Sequence, residues 1–465
     1  MRLYAPIILV VMTFVLGHVD FTAAQEQPKE PSAQQVLELI ESNGNYAFAA
    51  AAADIEIARA KRDQARSALF PRLSLNTTAQ GYKPGQYWRN DNSEIYGDLE
   101  VVQPIYDFGK TGSQINAAGS DVEAAQQALV TARNTVLLEG LALFFNLHAS
   151  ELQVRAFNEN LASAYVTWDR DKEQLGLGRA SPLDVARSLA LVEKNRLEYY
   201  RERSRNNAIR IRLEELIGQT LPTELIASPT PPRKAPLEVS REEFSLLVIK
   251  RNPEIAKLMK QAEAARMRRG GVSNLPSLEA FGNVGRFSRT SRSRNDYAVG
   301  ARLSWPIFNG GLQDAERNQL AAEESRLNAH IDVKRRTLRL RAYSALMDRD
   351  DAYQRVIAAK AELDYAQKNL LRRQQLYGQE RVADLGRAMI DNTGAEAELI
   401  RATGAYNIEM ARIAVLLGLN PGQGLSDEFL GDTLGIKEGP RENYTPKAGS
   451  GFGQDDQDKV NRNIQ

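Results

Sequence analysis

The side chains best suited to chemistry are scattered along this chain rather than gathered into a motif. Its three histidines, His18, His148 and His330, lie far apart, and none forms the His-Glu-x-x-His pairing of a helical zinc hydrolase. There is no cysteine, which removes disulfides, a thiolate nucleophile, Cys-ligated zinc and a lipidated N-terminal cysteine together. Gly109-Lys110-Thr111 is spelled like the end of a phosphate loop, but Pro104 stands where that loop needs its first glycine. Gly176-Leu177-Gly178 fails as a dinucleotide fingerprint in the same way, with Ser181 at the third glycine position. Carboxylates recur three or four residues from basic partners, as on the solvated faces of coiled coils. The expectation is a protein that is not an enzyme and holds no cofactor or metal.

Charge and hydropathy narrow the class. Across 465 residues, 60 basic side chains meet 59 acidic ones, so net charge makes no case for nucleic acid. Arg2, the apolar stretch Ile7 to Leu16 and the small residues Thr22-Ala23-Ala24 read as a signal peptide over residues 1–24. Beyond it, no unbroken run of roughly 18 apolar residues offers a membrane helix. Any membrane span must then be a β-barrel, whose signal per strand is weak.

The chain repeats itself. Gln103-Pro104-Ile105-Tyr106-Asp107-Phe108-Gly109 returns as Trp305-Pro306-Ile307-Phe308-Asn309-Gly310-Gly311, at an offset of 202 residues. Val154, Leu161, Trp168 and Leu175 answer Val356, Leu363, Leu370 and Tyr377 at the same offset. Leu216-Ile217-Gly218 matches Leu416-Leu417-Gly418 at 200, and Leu69 to Leu73 matches Asn274 to Leu278 at 205. Leu37, Ile40 and Asn43 are matched with Leu246, Ile249 and Asn252. Five matches in order imply a tandem duplication. We divide the chain into a first repeat (25–221), a Pro-rich linker (222–241), a second repeat (242–420) and a polar tail (421–465) whose end, from Gly449, has the composition of a disordered segment.

Each copy reads as a helix, two strands, a very long helix and a return helix. Leu73, Leu75, Thr77 and Ala79 alternate with Ser74, Asn76, Thr78 and Gln80; Tyr297, Val299, Ala301, Leu303 and Trp305 alternate with Ala298, Gly300, Arg302 and Ser304. The strand pairs end in polar tips, Lys83 to Glu94 and Arg289 to Asp296, while Phe70, Tyr106, Trp305 and Phe308 cluster at strand ends like a membrane girdle. Four strands cannot close a barrel, which takes about eight, so oligomerisation is required. From Lys110 to Leu175 and from Leu312 to Tyr377 no proline intervenes. Each stretch predicts a helix of roughly 100 Å, with a seven-residue stripe and with Ala359 and Ala366 allowing close approach.

This order of elements, with the Gln103 to Gly109 segment and its second copy, resembles the TolC family of outer-membrane efflux proteins over about residues 33–420. The resemblance implies a mainly α fold with a small β part. Long coiled-coil helices form a periplasmic α-barrel, and four strands per protomer of a homotrimer form a twelve-stranded barrel among outer-membrane lipids. It also implies a passive exit duct for efflux or one-step secretion, opened at its tip by a periplasmic adaptor and an inner-membrane pump. Pro104, Gly109, Pro306 and Gly311 are then the strand-to-helix transitions, proline ending the strand and glycine redirecting the chain. At the tip, the family's acid falls on Asp184, and its tyrosine and arginine fall on Tyr377 and Arg381. Asp384 lines the constriction, but where relatives carry a further acid this chain has Arg387, expected to face the lumen and to make the constriction cationic or self-neutralised. The rival reading is a soluble periplasmic coiled-coil scaffold or adaptor, although no lipoyl-like insert interrupts the hairpins.

Overall fold

The computed structural model describes residues 32–42, 46–81, 93–221, 231–232, 239–287, 297–378, 385–426 and 429–434. The signal peptide, most of the linker, both strand-pair tips and the tail beyond Leu434 lie outside them. Each copy opens with two helices, α1 (Ala33–Ser42) and α2 (Tyr46–Ser67), then α5 (Arg241–Arg251) and α6 (Pro253–Gly271). Strands β1 (Arg72–Gly81) and β2 (Ser93–Tyr106) follow in the first copy, and β3 (Ser277–Phe287) and β4 (Tyr297–Ser304) in the second. The long helices are α3 (Lys110–Gly176) and α7 (Leu312–Gly378), both of 67 residues, or about 100 Å at 1.5 Å per residue. They return through α4 (Pro182–Ile217) and α8 (Leu385–Leu416). A 3-10 turn at Pro421–Leu425 and the short α9 (Phe429–Leu434) close the described chain.

The helices form one layer. Toward the tips the contacts run α4 to α3 to α8 to α7; toward the sheet they run α2 to α3 to α6 to α7. Alanine sets the spacing: Ala117, Ala124, Ala164, Ala359 and Ala366 are all buried, while the larger members of the seven-residue stripe, such as Leu161 and Leu370, stay half-buried. At mid-height each repeat builds a matching core. Val36 and Ile40 of α1 meet Leu137, Leu141 and Phe144 of α3 and Leu213 and Ile217 of α4. Phe244 and Val248 of α5 meet Leu338, Ala342 and Leu346 of α7, Ile413 of α8 and Leu417 just beyond it.

These cores correct the pairing of the first helices. Leu246, matched with Leu37 from sequence, is 61% exposed; the buried positions equivalent to Val36 and Ile40 are Phe244 and Val248. The register is therefore one residue shorter, because both copies offer an adjacent leucine and burial rather than residue identity decides which one turns inward. One 18-residue window of α3 is apolar enough to cross a bilayer by composition. Charged residues such as Arg133 and Glu139 interrupt the apolar part of the helix, and its Leu137, Leu141 and Phe144 are already used in the core, at most 3% exposed. His148 is buried beside Phe144, and burial together with Arg155 lowers its pKa, which keeps it neutral.

Candidate functional site

The four strands form a single antiparallel sheet in the order β1-β2-β3-β4, so the central β2–β3 pairing joins the two repeats. Its register sorts the side chains by face. Leu73 opposes Val101 and Leu75 opposes Leu99; Leu99 continues to Val284, Val284 to Tyr297, and Leu278 to Leu303. Alternation puts all of these on one face, where Leu75, Tyr297 and Val299 are 75%, 74% and 85% exposed. The other face carries Ser74, Asn76, Asp98, Glu100, Asn283 and Arg302, with Asn76 donating to Asp98 at 3.3 Å and Arg302 over the Phe281 ring. β1 and β4 each leave one edge unpaired among the described residues. Such a sheet presents an apolar face and two open edges, features that lipid and neighbouring strands satisfy.

Phe70, Tyr106, Trp305 and Phe308 are exposed at the end where the sheet meets the long helices, with Tyr106 and Phe108 in edge contact at 4.7 Å. The transitions at this end differ between copies. Pro306 lies two residues beyond β4, as expected, but Pro104 lies inside β2, opposite Glu279, and the strand runs on to Tyr106 through a register shift. β1 begins only at Arg72, opposite Val102, so beyond Gln103 the strand has a neighbour on one side only, where a missing N–H is tolerated. Gly109 (φ 85°) and the pair Gly310 (67°) and Gly311 (82°) take left-handed conformations just before their helices. That region is cheap for glycine, and Phe108 shares it at φ 55°.

Asp107, which is not among the residues singled out from the sequence, does the capping here. Its carboxylate accepts from Gly109 N at 3.1 Å and Thr111 N at 2.7 Å, groups that the first turn of a helix leaves unpaired. Burial alone pushes this carboxyl up, but the hydrogen bonds from Thr111, Gly109 and Lys110 outweigh it and hold the pKa below its ordinary value. An acid three residues before a helix start was the available signal. Gln103 adds a tie, donating to the carbonyls of Leu69 and Pro104. Asp107→Ala is expected to cost about 0.5–2 kcal/mol. Because the folded pKa is lowered, the cap contributes fully above the unfolded value of about 3.9 and is lost as pH falls through the folded one. Thermal melts of wild type and variant should therefore differ at neutral pH and converge in acid; a constant gap would assign the loss to packing.

At the first tip α3 ends at Gly176 with Leu177 as its C-cap, Gly178 turns with φ 71°, and Ser181 caps α4 ahead of Pro182. Asp184 is the third residue of that helix and completes a capping box. Its carboxylate accepts from Ser181 N at 3.0 Å and Ser181 Oγ at 2.6 Å, and its own N–H donates to Ser181 Oγ at 3.3 Å. These bonds, from the hydroxyl first and then the backbone, hold its pKa below the ordinary value, and Arg187 stands 3.9 Å away. Asp184 remains solvent-accessible at the tip. Tyr377 is in the last turn of α7; Arg381 and Asp384 lie outside the described residues. Arg387, in the first turn of α8, is exposed and pairs with Asp391 at 3.0 Å, a partner that the sequence reading did not name. No group of three His, Cys, Asp or Glu suited to a metal occurs among the described residues.

Comparison with known proteins agrees with this architecture. The sequence profile of the outer membrane efflux protein family matches residues 41–219 and 247–419, one segment in each repeat. Outer membrane protein TolC of Escherichia coli K12 is 25% identical over 408 residues, covering 79% of this chain and 78% of its own length. The alkaline protease secretion protein AprF of Pseudomonas aeruginosa is 22% identical over 308 residues, 62% of this chain and 63% of that one. Among solved structures, the fold is shared with CusC (TM-score 0.67, 16% identity, 84% of this chain and 93% of that one). It is also shared with the CmeC outer membrane channel of Campylobacter jejuni (TM-score 0.63, 15% identity, 89% and 94%). With its two matched repeats, its lipid-seeking sheet and its long helices, the chain belongs to the outer membrane efflux protein family.

Proposed function

We propose that three copies of this chain assemble into an exit duct that a periplasmic adaptor opens at the helical tips for an inner-membrane pump. The sheet carries this reading: four strands with one apolar face and two unpaired edges make a third of a twelve-stranded barrel. The helical layer has matching loose flanks. On α7, Val333, Leu340 and Met347 recur every seven residues and are exposed; on α4, Leu197, Tyr200 and Ile211 are exposed. In a closed ring each flank meets the other on the next protomer. AprF is named for alkaline protease secretion and the matching family for efflux, so both protein export and efflux are open to this duct.

The latch is proposed at Asp184, Tyr377 and Arg381, with Asp384 beside them. Asp184 is positioned by Ser181 yet still accessible, as an acid that engages a neighbouring hairpin reversibly must be. Exposed pairs are worth about 0–1 kcal/mol each, so three copies of the set hold the tip collectively and release it without large cost. The test is single-channel conductance of detergent-purified protein in a planar bilayer, wild type beside an Asp184→Ala, Arg381→Ser double variant. Small, mostly closed currents that grow severalfold in the variant are expected. Equal currents would remove the latch, and water-soluble protein with no current would replace the duct with a scaffold.

A further inference from the structure

α8 keeps one face that neither the core nor the latch uses. Arg387, Asp391, Glu398, Arg401, Glu409 and Arg412 follow one another on the three-and-four spacing of a single helical side, with Gly394 and Ala405 filling the gaps; of the charged residues, all but the half-buried Glu409 are exposed. They are joined in pairs: Arg387 to Asp391 at 3.0 Å, Arg401 to Glu398 and Arg412 to Glu409. Arg401 also reaches Gln153 of α3. The other sides of α8 are occupied. Ala402 and Ile413 pack with Leu338 and Ala342 of α7, Gly404 lies against Phe145 of α3, and helical spacing puts the buried Ala388 with the first pair and Ile390 and Ala397 with Gly404. The 3-10 turn lies over Met410 and Ala411, where a Cβ on Gly424 would come within 2.4 Å of the Met410 carbonyl. The charged row is on the side away from that turn.

We propose that this row lines the duct as a charge-neutral track, so that the passage near the tip discriminates little between cations and anions and suits cargo of either sign. The inference rests on the three-protomer duct proposed above. In such a ring the helical layer has two sides, and the side thickened by α1, α5 and the 3-10 turn is the outer one, which leaves the thin side of α8 facing the lumen. Rings of one sign of charge make a pore selective. Here each guanidinium carries its own carboxylate within one turn, and the field of such a pair dies away within about a Debye length of 8 Å. Arg387 is nearest the tip, where a bare threefold ring would act most strongly; Asp391 cancels it.

The experiment is the cation-to-anion permeability ratio in a potassium chloride gradient across a planar bilayer. It compares wild type with Asp391→Asn, Arg387→Gln and the variant carrying both, each repeated with Asp184→Ala, Arg381→Ser so that a closed tip does not hide the pore. Wild type should pass both ions within about twofold of equally; Asp391→Asn should tilt the ratio toward anions by about two- to fivefold, Arg387→Gln toward cations, and the combination should return it near wild type. Full currents with a ratio insensitive to all three substitutions would place the row outside the lumen and overturn the inference while leaving the duct intact. A strongly cation-selective wild type would also overturn it. Absence of current from every variant of well-assembled protein would overturn the duct itself.

Discussion

Replacing Gly404 with valine is expected to destabilise the contact between α8 and α3 strongly. A Cβ at this position of α8 would stand 2.9 Å from Phe145 Cβ on α3. That carbon is bonded to the α3 backbone and cannot swing aside as a side-chain end can, and Phe145 is 4% exposed. The two helices would have to part, along a seam otherwise kept narrow by Ala397 and Ala411. Overpacking of this kind costs about 1–3 kcal/mol, and the two γ-carbons of valine push toward the upper end. Gly394→Ala on the same helix is the control: nothing lies within 4 Å of its Cβ, and alanine should gain up to about 1 kcal/mol in helix propensity. Melting of detergent-purified protein should drop clearly for the first and hold or rise for the second. Equal melting would mean that α3 and α8 are not pressed together at Gly404.

Why the architecture was legible in the sequence, and parts of the site were not, follows from how each is encoded. Long helices announce themselves by what is missing, since 67 residues without proline can hardly be anything else, and the repeat confirms each element by its copy. The strand faces were legible for a similar reason: Leu73 and Leu75 in one copy and Val299 and Leu303 in the other alternate cleanly, and the pairing register aligns them on one face. Individual contacts carry no such redundancy. The one-residue slip at Leu246 arose because neighbouring apolar residues satisfy the same pattern. Pro104 looks like a strand end in sequence, which does not show that β1 stops short of it. Asp107 and Asp391 do not stand out in sequence because their partners are backbone N–H groups and a side chain one turn away, all ordinary in composition. Gly404 is silent in sequence altogether, since only the approach of α3 gives it a reason.

Arginine at Val299 is expected to abolish assembly in the outer membrane, where the sheet resides, whereas arginine at Asn283 should be tolerated. The two residues are on adjacent strands and both are exposed, so composition and exposure do not separate them. Register does: Val299 opposes Gly282 at the middle of β3, while Asn283 opposes Ala298, which puts Val299 with the apolar row and Asn283 with Asp98 and Glu100. A cation on the lipid face near the midplane costs about 2–4 kcal/mol, and the cost recurs in every protomer that the barrel needs. On the polar face the same side chain meets water and acidic neighbours, and Glu100, directly opposite Asn283, favours it further. Heat-resistant oligomer in outer-membrane fractions, read by gel, should be lost with Val299→Arg and kept with Asn283→Arg. If both variants assembled, the apolar row would not be facing lipid. If both failed, the polar face would be packed against protein instead of lining a water-filled barrel.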